Sequence, residues 1–333
     1  MSDSSHRRKV ATRSGWSVGR TRPIVPTVTD VSVTPSASFQ QPPSRRRSMA
    51  FVALTKPRII ELLLVSTVPT MVVAQRGLPS VWLMIWTVVG GTLAAGGANA
   101  YNMYVDRDID ALMERTKGRP LVTGEVAPRE ALVFATVLEI AAFGLLWSAV
   151  NLLSAVLAAS ACAFYVIVYT IWLKRTSKQN IVIGGAAGAV PVLIGWSAVT
   201  NSIGIEALVL FALMFMWTPP HFWALAIKYA DDYRAADVPM LPALAAPRTT
   251  ANQMILYTVP VAVLGVVFGF VADLGWLYLV VSAVSGAVFL WHTVTLRNDL
   301  SVGRAMKVFS YSITYVTLVF AAMAVDIFVA NGV

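Results

Sequence analysis

The sequence predicts an all-α integral membrane protein with about nine membrane-crossing helices. Three observations carry this. Apolar residues make up 57% of the chain and charged residues only 13%, against about half and a quarter in ordinary soluble domains. The apolar residues gather into runs of the roughly 20 residues that a bilayer span requires. Lys and Arg in the connecting segments fall almost entirely on alternate loops, the pattern that orients helices in a membrane.

The spans are expected at 58–75, 81–104, 130–149, 152–173, 181–200, 205–227, 253–272, 274–294 and 308–329. The third and fourth are separated by so few residues that they must form a tight antiparallel pair. With Arg45, Arg46 and Arg47 just before the first span, the N-terminus is predicted on the cytoplasmic side. The loops on that side hold fourteen Lys and Arg, from Arg107 to Lys307, whereas the opposite loops hold Arg76 alone. The C-terminus is then expected outside, in a bacterial plasma membrane; a mitochondrial inner membrane is the alternative. Two inner loops, about 105–129 and 228–252, are long without being of low complexity, which favours a functional role.

Residues 1–48 read as a separate region, a basic cytoplasmic tail, and 49–333 as the membrane domain. Of the formal +9 charge, nine Lys and Arg against two Asp lie in the first 50 residues. That segment is rich in Ser, Pro, Thr and Arg and too poor in large apolar residues to build a core. It is expected to be disordered; an organelle transit peptide is the alternative reading. The remaining chain is nearly neutral, so nucleic-acid binding is not expected. The lone cysteine, Cys162, excludes an internal disulfide.

The chemistry is expected at the inner end of the second span. Asn102, Asp106 and Asp110 recur every four residues. If the helix continues that far, each step drifts only about 40°, so the three form one stripe about 12 Å long. Asp108 faces elsewhere. A second acidic cluster, Asp231, Asp232 and Asp237, follows the sixth span at the same depth. Polar side chains at membrane depth are costly and usually face a functional cavity. Oxygen ligands of this kind suit Mg²⁺, which commonly bridges one or two carboxylates to phosphate oxygens. Asn102, Asp106, Asp110 and Asp232 are the candidate metal ligands, with the last ambiguous among Asp231, Asp232 and Asp237. Asp106, Asp110 and Asp232 are also the candidate catalytic residues. Arg107, Lys117, Arg119, Lys174, Arg175 and Lys228 are candidates to grip phosphate, which arginine forks and lysine meets as a point charge. Acids and bases at one interface, beside apolar helices, suggest a metal-bridged diphosphate carrying a greasy chain. A transporter using intramembrane carboxylates would place them near mid-bilayer, whereas here nearly all sit at helix ends. Glu139 and Asp326 are the exceptions, within spans and with no partner evident from the sequence.

Several stretches resemble the intramembrane prenyltransferases of the UbiA superfamily, and within them the protohaem-farnesylating branch that makes haem O. They are Leu54 to Leu64 with Lys56-Pro57-Arg58, Ala98 to Asp110, Met113 to Leu121, Tyr169 to Thr176, Asn180 to Ala189, Pro220 to Trp223, and Asp232 to Pro242. The resemblance covers residues 50 to 330. It implies transfer of a farnesyl group from farnesyl diphosphate to a vinyl group of haem B, with water addition, in a Mg²⁺-dependent reaction serving haem–copper oxidase biogenesis. It also implies haem A synthase or oxidase assembly factors as partners. His221, beside Pro219 and Pro220, is read either as a contact to haem iron or a haem propionate or as a hydrogen-bonded histidine in a kinked helix. A prenyltransferase of the same superfamily acting on an aromatic quinone precursor is the alternative. The chain departs from the pattern where Asp231 precedes Asp232, where Val192 follows Pro191, and in its first 48 residues.

Overall fold

The computed structural model describes residues 44–331, with the backbone alone at 44–46, 58–64 and 331. The expected tail up to residue 43 lies outside the described residues, as does the side chain of Glu61. Every regular element among the described residues is helical. A short helix, α1 (Ser44–Leu54), takes in residues 44–48, which the sequence reading assigned to the tail. It leads into α2 (Pro57–Gln75), α3 (Val81–Asp110), the single turn α4 (Pro120–Thr123), α5 (Pro128–Ala149) and α6 (Leu152–Ala163). The last of these runs on as a π-helix over Phe164–Leu173 and closes in one α turn, α7 (Lys174–Thr176). Then come α8 (Asn180–Thr200), α9 (Ile205–Lys228), the short α10 (Ala230–Ala235) and α11 (Leu241–Leu244), α12 (Pro247–Val271), α13 (Trp276–Asn298) and α14 (Val302–Asn331).

Eight of the described helices are long and apolar enough to cross a bilayer. The expected first span falls on α2, whose described apolar part is Val65–Gln75. The architecture therefore agrees with about nine spans. Large apolar side chains still point outward, among them Ile140, Phe270 and Trp276; a bilayer accepts such a surface and water does not.

The helices pack mainly on their neighbours in sequence. α3 lies along α5, α5 on α6, α8 on α9, and α12 between α9 and α13. Two helices also reach across the sequence: α2 contacts α3, α8 and α14, and α14 also packs on α9. Small residues set the closest approaches: a Cβ on Gly90 of α3 would come within 2.5 Å of Leu146 on α5. The α5–α6 pair turns within two residues. Asn151 caps α6 by accepting the Ser154 N–H at 2.8 Å and donates to the Ser197 carbonyl at 2.7 Å. One side chain therefore satisfies a helix end and ties the hairpin to α8. Asp326 on α14 finds its partners at the start of α13, accepting from the backbone N–H groups of Gly275 at 2.5 Å and Tyr278 at 3.2 Å. It is an N-terminal cap supplied from another helix, where a carboxylate also meets the favourable end of the dipole.

Candidate active site

α3 continues unbroken to Asp110, so its acidic stripe is a real surface. Asp106 and Asp110 are 0% and 1% exposed, while the Asp108 side chain is 61% exposed. The 100° step per residue separates them.

Four cations converge on the two buried carboxylates. Lys174, itself buried, pairs with Asp106 Oδ2. Arg175 lies 3.8 Å from Asp106 Oδ1 and forks Asp108 with two 2.7 Å bonds. Arg119 bonds Asp110 Oδ2 at 2.5 Å. Lys56 arrives from the α1–α2 elbow and donates to Asn102 Oδ1 at 2.8 Å. Asn102 passes the contact on, its Nδ2 donating to Asp106 Oδ2 at 2.7 Å and to Thr170 Oγ1 at 3.2 Å.

Two local departures from regular backbone make this convergence work. Lys56 adopts the left-handed conformation, with φ of 52°, which costs a non-glycine residue about 1–2 kcal/mol. Asn99 holds the elbow against α3 by donating to the Thr55 carbonyl at 3.1 Å. The π-helix widens the turn before Lys174, and Thr170 Oγ1 donates to the carbonyl five residues back, Tyr165, at 2.8 Å. Such segments recur at functional sites, where they re-aim side chains. Gly184 on α8 lets Tyr169 lie against it, since a Cβ there would clash with the ring.

The two long loops, about 105–129 and 228–252, meet at this end of the bundle. Met113 and Ile109 pack with Tyr233, Ala236 and Val238, and Asp232 accepts from the Arg115 N–H at 3.2 Å. Burial raises the Tyr233 phenol above its ordinary pKa, with the Arg115 guanidinium working against the shift. Burial, with Arg119 and Lys174 nearby, holds the Lys56 ammonium well below its usual value, while Asp106 and Asp110 pull the other way.

The residues singled out from sequence separate into two groups. Asn102, Asp106, Asp110, Arg119, Lys174 and Arg175 come together. Arg107 turns back to the Tyr104 carbonyl at 2.5 Å, Lys117 pairs with Glu114 at 2.5 Å, and the Lys228 ammonium sits 5.4 Å from the Tyr229 ring centroid. Asp231 is almost fully exposed and pairs with Arg234. His221 is buried, stacked 4.2 Å from Trp217, with Nδ1 2.7 Å from Ser312 Oγ. Lys56 and Thr170 join the site without having been singled out as binding residues. The signal for Lys56 was a basic residue before a helix-starting proline at the site's depth.

Asp106 Oδ1 and Asp110 Oδ1 are buried without a hydrogen-bond partner. Unpaired carboxylate oxygens are costly in such surroundings, and two on one stripe fit a divalent cation. Among the described residues no group of three Asp, Glu, His or Cys side chains stands ready to hold a metal; Asp232 stays a candidate ligand beside the α3 pair. Both ends of the Asn102 amide are already engaged.

Known proteins share this chain's sequence and fold. Residues 63–323 match the model of the UbiA prenyltransferase family. A protein of Pseudarthrobacter chlorophenolicus named protoheme IX farnesyltransferase is 53% identical, over 86% of this chain and 92% of that relative. An apo UbiA homolog from Aeropyrum pernix K1 shares the fold with a TM-score of 0.65 at 22% identity, over 80% of this chain and 98% of its own. A UbiA homolog from Archaeoglobus fulgidus, solved bound to GPP and Mg²⁺, gives a TM-score of 0.60 at 17% identity, over 82% and 99%. The chain belongs to the UbiA prenyltransferase family.

Proposed function

We propose that this prenyltransferase moves a farnesyl group from farnesyl diphosphate to a vinyl group of haem B, with water completing the side chain, to give haem O and diphosphate. The name borne by the 53%-identical relative supports the substrates. The observation that carries the chemistry is the buried Asp106–Asp110 pair with one unpartnered oxygen each, surrounded by Lys56, Arg119, Lys174 and Arg175.

Asp106 and Asp110 would hold Mg²⁺, which supplies positive charge against a diphosphate. The chain's own cations do the rest of the electrostatic work. Lys174, Arg175 and Arg119 are preorganised where negative charge grows on the departing group, and such fixed donors are usually the largest single contribution to catalysis. Departure leaves an allylic cation, which water would capture; apolar helices exclude water from it. Asp232 is proposed to steady the second loop over the diphosphate through the Arg115 backbone. The positive-inside pattern supports placing this site on the cytoplasmic face, with the N-terminus on that side. Lipid, farnesyl diphosphate and haem B are then the immediate partners, and haem A synthase or oxidase assembly factors the downstream ones.

The test is direct. Purified protein is incubated with haem B, farnesyl diphosphate and Mg²⁺, and the pigments are identified by mass alongside diphosphate release. Haem O and diphosphate are expected in equal amounts. Prenylation of an aromatic quinone precursor with haem B untouched would transfer the reading to the other branch of the superfamily.

A further inference from the structure

The contact between α9 and α14 holds one imidazole in a single chemical form. The His221 ring lies between Trp217, 4.2 Å away, and Phe309 of α14, 4.7 Å away, with Phe222 against its edge. Ser312 of α14 grips this part of α9 twice. Its carbonyl accepts the Trp217 Nε1–H at 2.8 Å, and its Oγ lies 2.7 Å from His221 Nδ1. The Ser312 hydroxyl has one proton, and it donates that proton to the Phe309 carbonyl at 2.6 Å, since a carbonyl can only accept. The hydroxyl oxygen is therefore the acceptor toward His221, and Nδ1 carries the ring's N–H. The ring's neighbours among the described residues are a hydroxyl and three aromatic rings, none of them an anion, so the neutral imidazole is the form these surroundings accept. Its Nε2 is then a bare lone pair.

That lone pair has no assignment in the packing. His221 is only 9% exposed. Its Nε2 meets no partner among the described residues, yet it is not sealed and keeps accessible surface. His292 on α13 is the contrast, with an unpaired Nδ1 that is fully enclosed. A ring clamped on both faces and at Nδ1, and open at its lone pair, is prepared for a partner. A lone pair takes a hydrogen-bond donor or a metal. Ligating histidines almost always donate their other N–H to an oxygen, which fixes the tautomer and raises the basicity of the ligating nitrogen, and Ser312 provides that oxygen here. The depth also fits. One turn back on α9, Thr218 lies so close to Gly185 of α8 that a Cβ there would come within 2.9 Å of it. Gly184 beside it receives Tyr169, and Thr170 meets Asn102 of the acidic stripe. His221 lies three residues and Asp106 four residues beyond this layer, at about 1.5 Å each, toward the helix ends where the two long loops meet.

We infer that His221 Nε2 ligates the iron of the haem acceptor. The inference rests on the haem reading and deepens it by naming the atom that holds the macrocycle. Histidine is a common axial ligand of haem iron. A macrocycle pinned at its centre has every edge one ring radius from the ligand, so its vinyl groups stay close to the depth of Asp106. Ser312 is the positioning residue: it touches no substrate and acts by orienting the ligand.

The experiment uses the full chain in lipid nanodiscs. Haem B and metal-free protoporphyrin IX, which has the same edges and no iron, are titrated by absorbance into wild type, His221→Ala and Ser312→Ala. Resonance Raman spectra of the ferrous haem complexes report the iron–histidine stretch. Ser312→Ala is expected to lose about tenfold in haem B affinity, the lower end for removing the group that orients a ligating histidine, and to move the iron–histidine band. Losing the ligand itself costs at least as much. Wild type should therefore prefer haem B over the metal-free pigment by about tenfold or more, and His221→Ala should lose both the preference and the band, with added imidazole restoring the band. Equal binding of the two pigments by wild type, or a band that survives His221→Ala, would overturn the ligation. If His221→Ala does not fold, the milder variant decides: a band that Ser312→Ala leaves unmoved rejects His221 as the ligand. Haem O made by wild type without any histidine signature on the iron sinks the ligation alone and leaves the haem reading standing. Wild type that binds neither pigment sinks the haem reading and the ligation with it.

Discussion

The acidic end of α3 and the acidic helix α10 look alike in sequence, yet they sit in opposite surroundings. Asp106 and Asp110 are sealed from solvent, each bonded to a cation through one oxygen and without a hydrogen bond on the other. Asp231 is almost fully exposed, and Asp232, half-buried, accepts a backbone N–H from the facing loop. The difference comes from the elements. A 30-residue helix carries its last carboxylates inside the bundle, while a six-residue helix lies on top of it. Identical side chains thus act as a charged floor in one place and as a latch in the other.

That contrast breaks first at the floor. Asp106→Asn and Asp110→Asn are each expected to lower turnover by about 100- to 1000-fold, the cost of losing a preorganised electrostatic contributor, with the protein still inserted and folded by circular dichroism. Excess chelator should stop turnover in wild type and Mg²⁺ should restore it; full activity in chelator would remove the metal from the scheme. Next comes Lys56→Met, which deletes the elbow's charge. Prenyl turnover is expected to fall about tenfold, the scale of one charge-assisted hydrogen bond, and farnesyl diphosphate binding should weaken with it. The latch is tested by Asp232→Asn, which keeps an acceptor for the Arg115 N–H and should raise the KM for farnesyl diphosphate by about threefold, on the scale of a weakened neutral hydrogen bond, leaving haem affinity unchanged. Asp231→Asn should be the mildest, within about twofold, because exposed ion pairs contribute little. An Asp231 effect as large as that of Asp106 would erase the distinction between floor and latch.

Much of this was legible beforehand, for physical reasons. Long apolar runs declare spans, and the four-residue spacing of Asn102, Asp106 and Asp110 declares a shared face once α3 is known to continue. Lys174 and Arg175 were legible as bases at the right depth, although the fork from Arg175 to Asp108 was not. Lys56 was hidden because its contact to Asn102 spans 46 residues and depends on a left-handed elbow, which no local preference of lysine announces. Arg107 and Lys117 had the right charge at the right depth but found nearer partners, a neighbouring carbonyl and Glu114. Asp326 seemed unpartnered because a cap donated from one helix to another leaves no periodic trace.

The π-helix at Phe164–Leu173 has a bearing on how such a site could arise or be lost. A turn with a wider hydrogen-bond spacing behaves as though one residue had been spliced into an α-helix. Deleting a single residue there would leave a span long enough for the membrane and nearly as apolar. It would remove the extra residue that the wide turns absorb, so the segment tightens to α spacing with Lys174 beyond it still in register, and what is lost is the spacing by which Thr170 Oγ1 reaches the Tyr165 carbonyl five residues back. A one-codon deletion in this segment should therefore yield a protein that inserts and folds like its parent with the Asn102–Thr170 contact altered, so the segment is a place where lineages can retune the chemistry without passing through an unfolded intermediate.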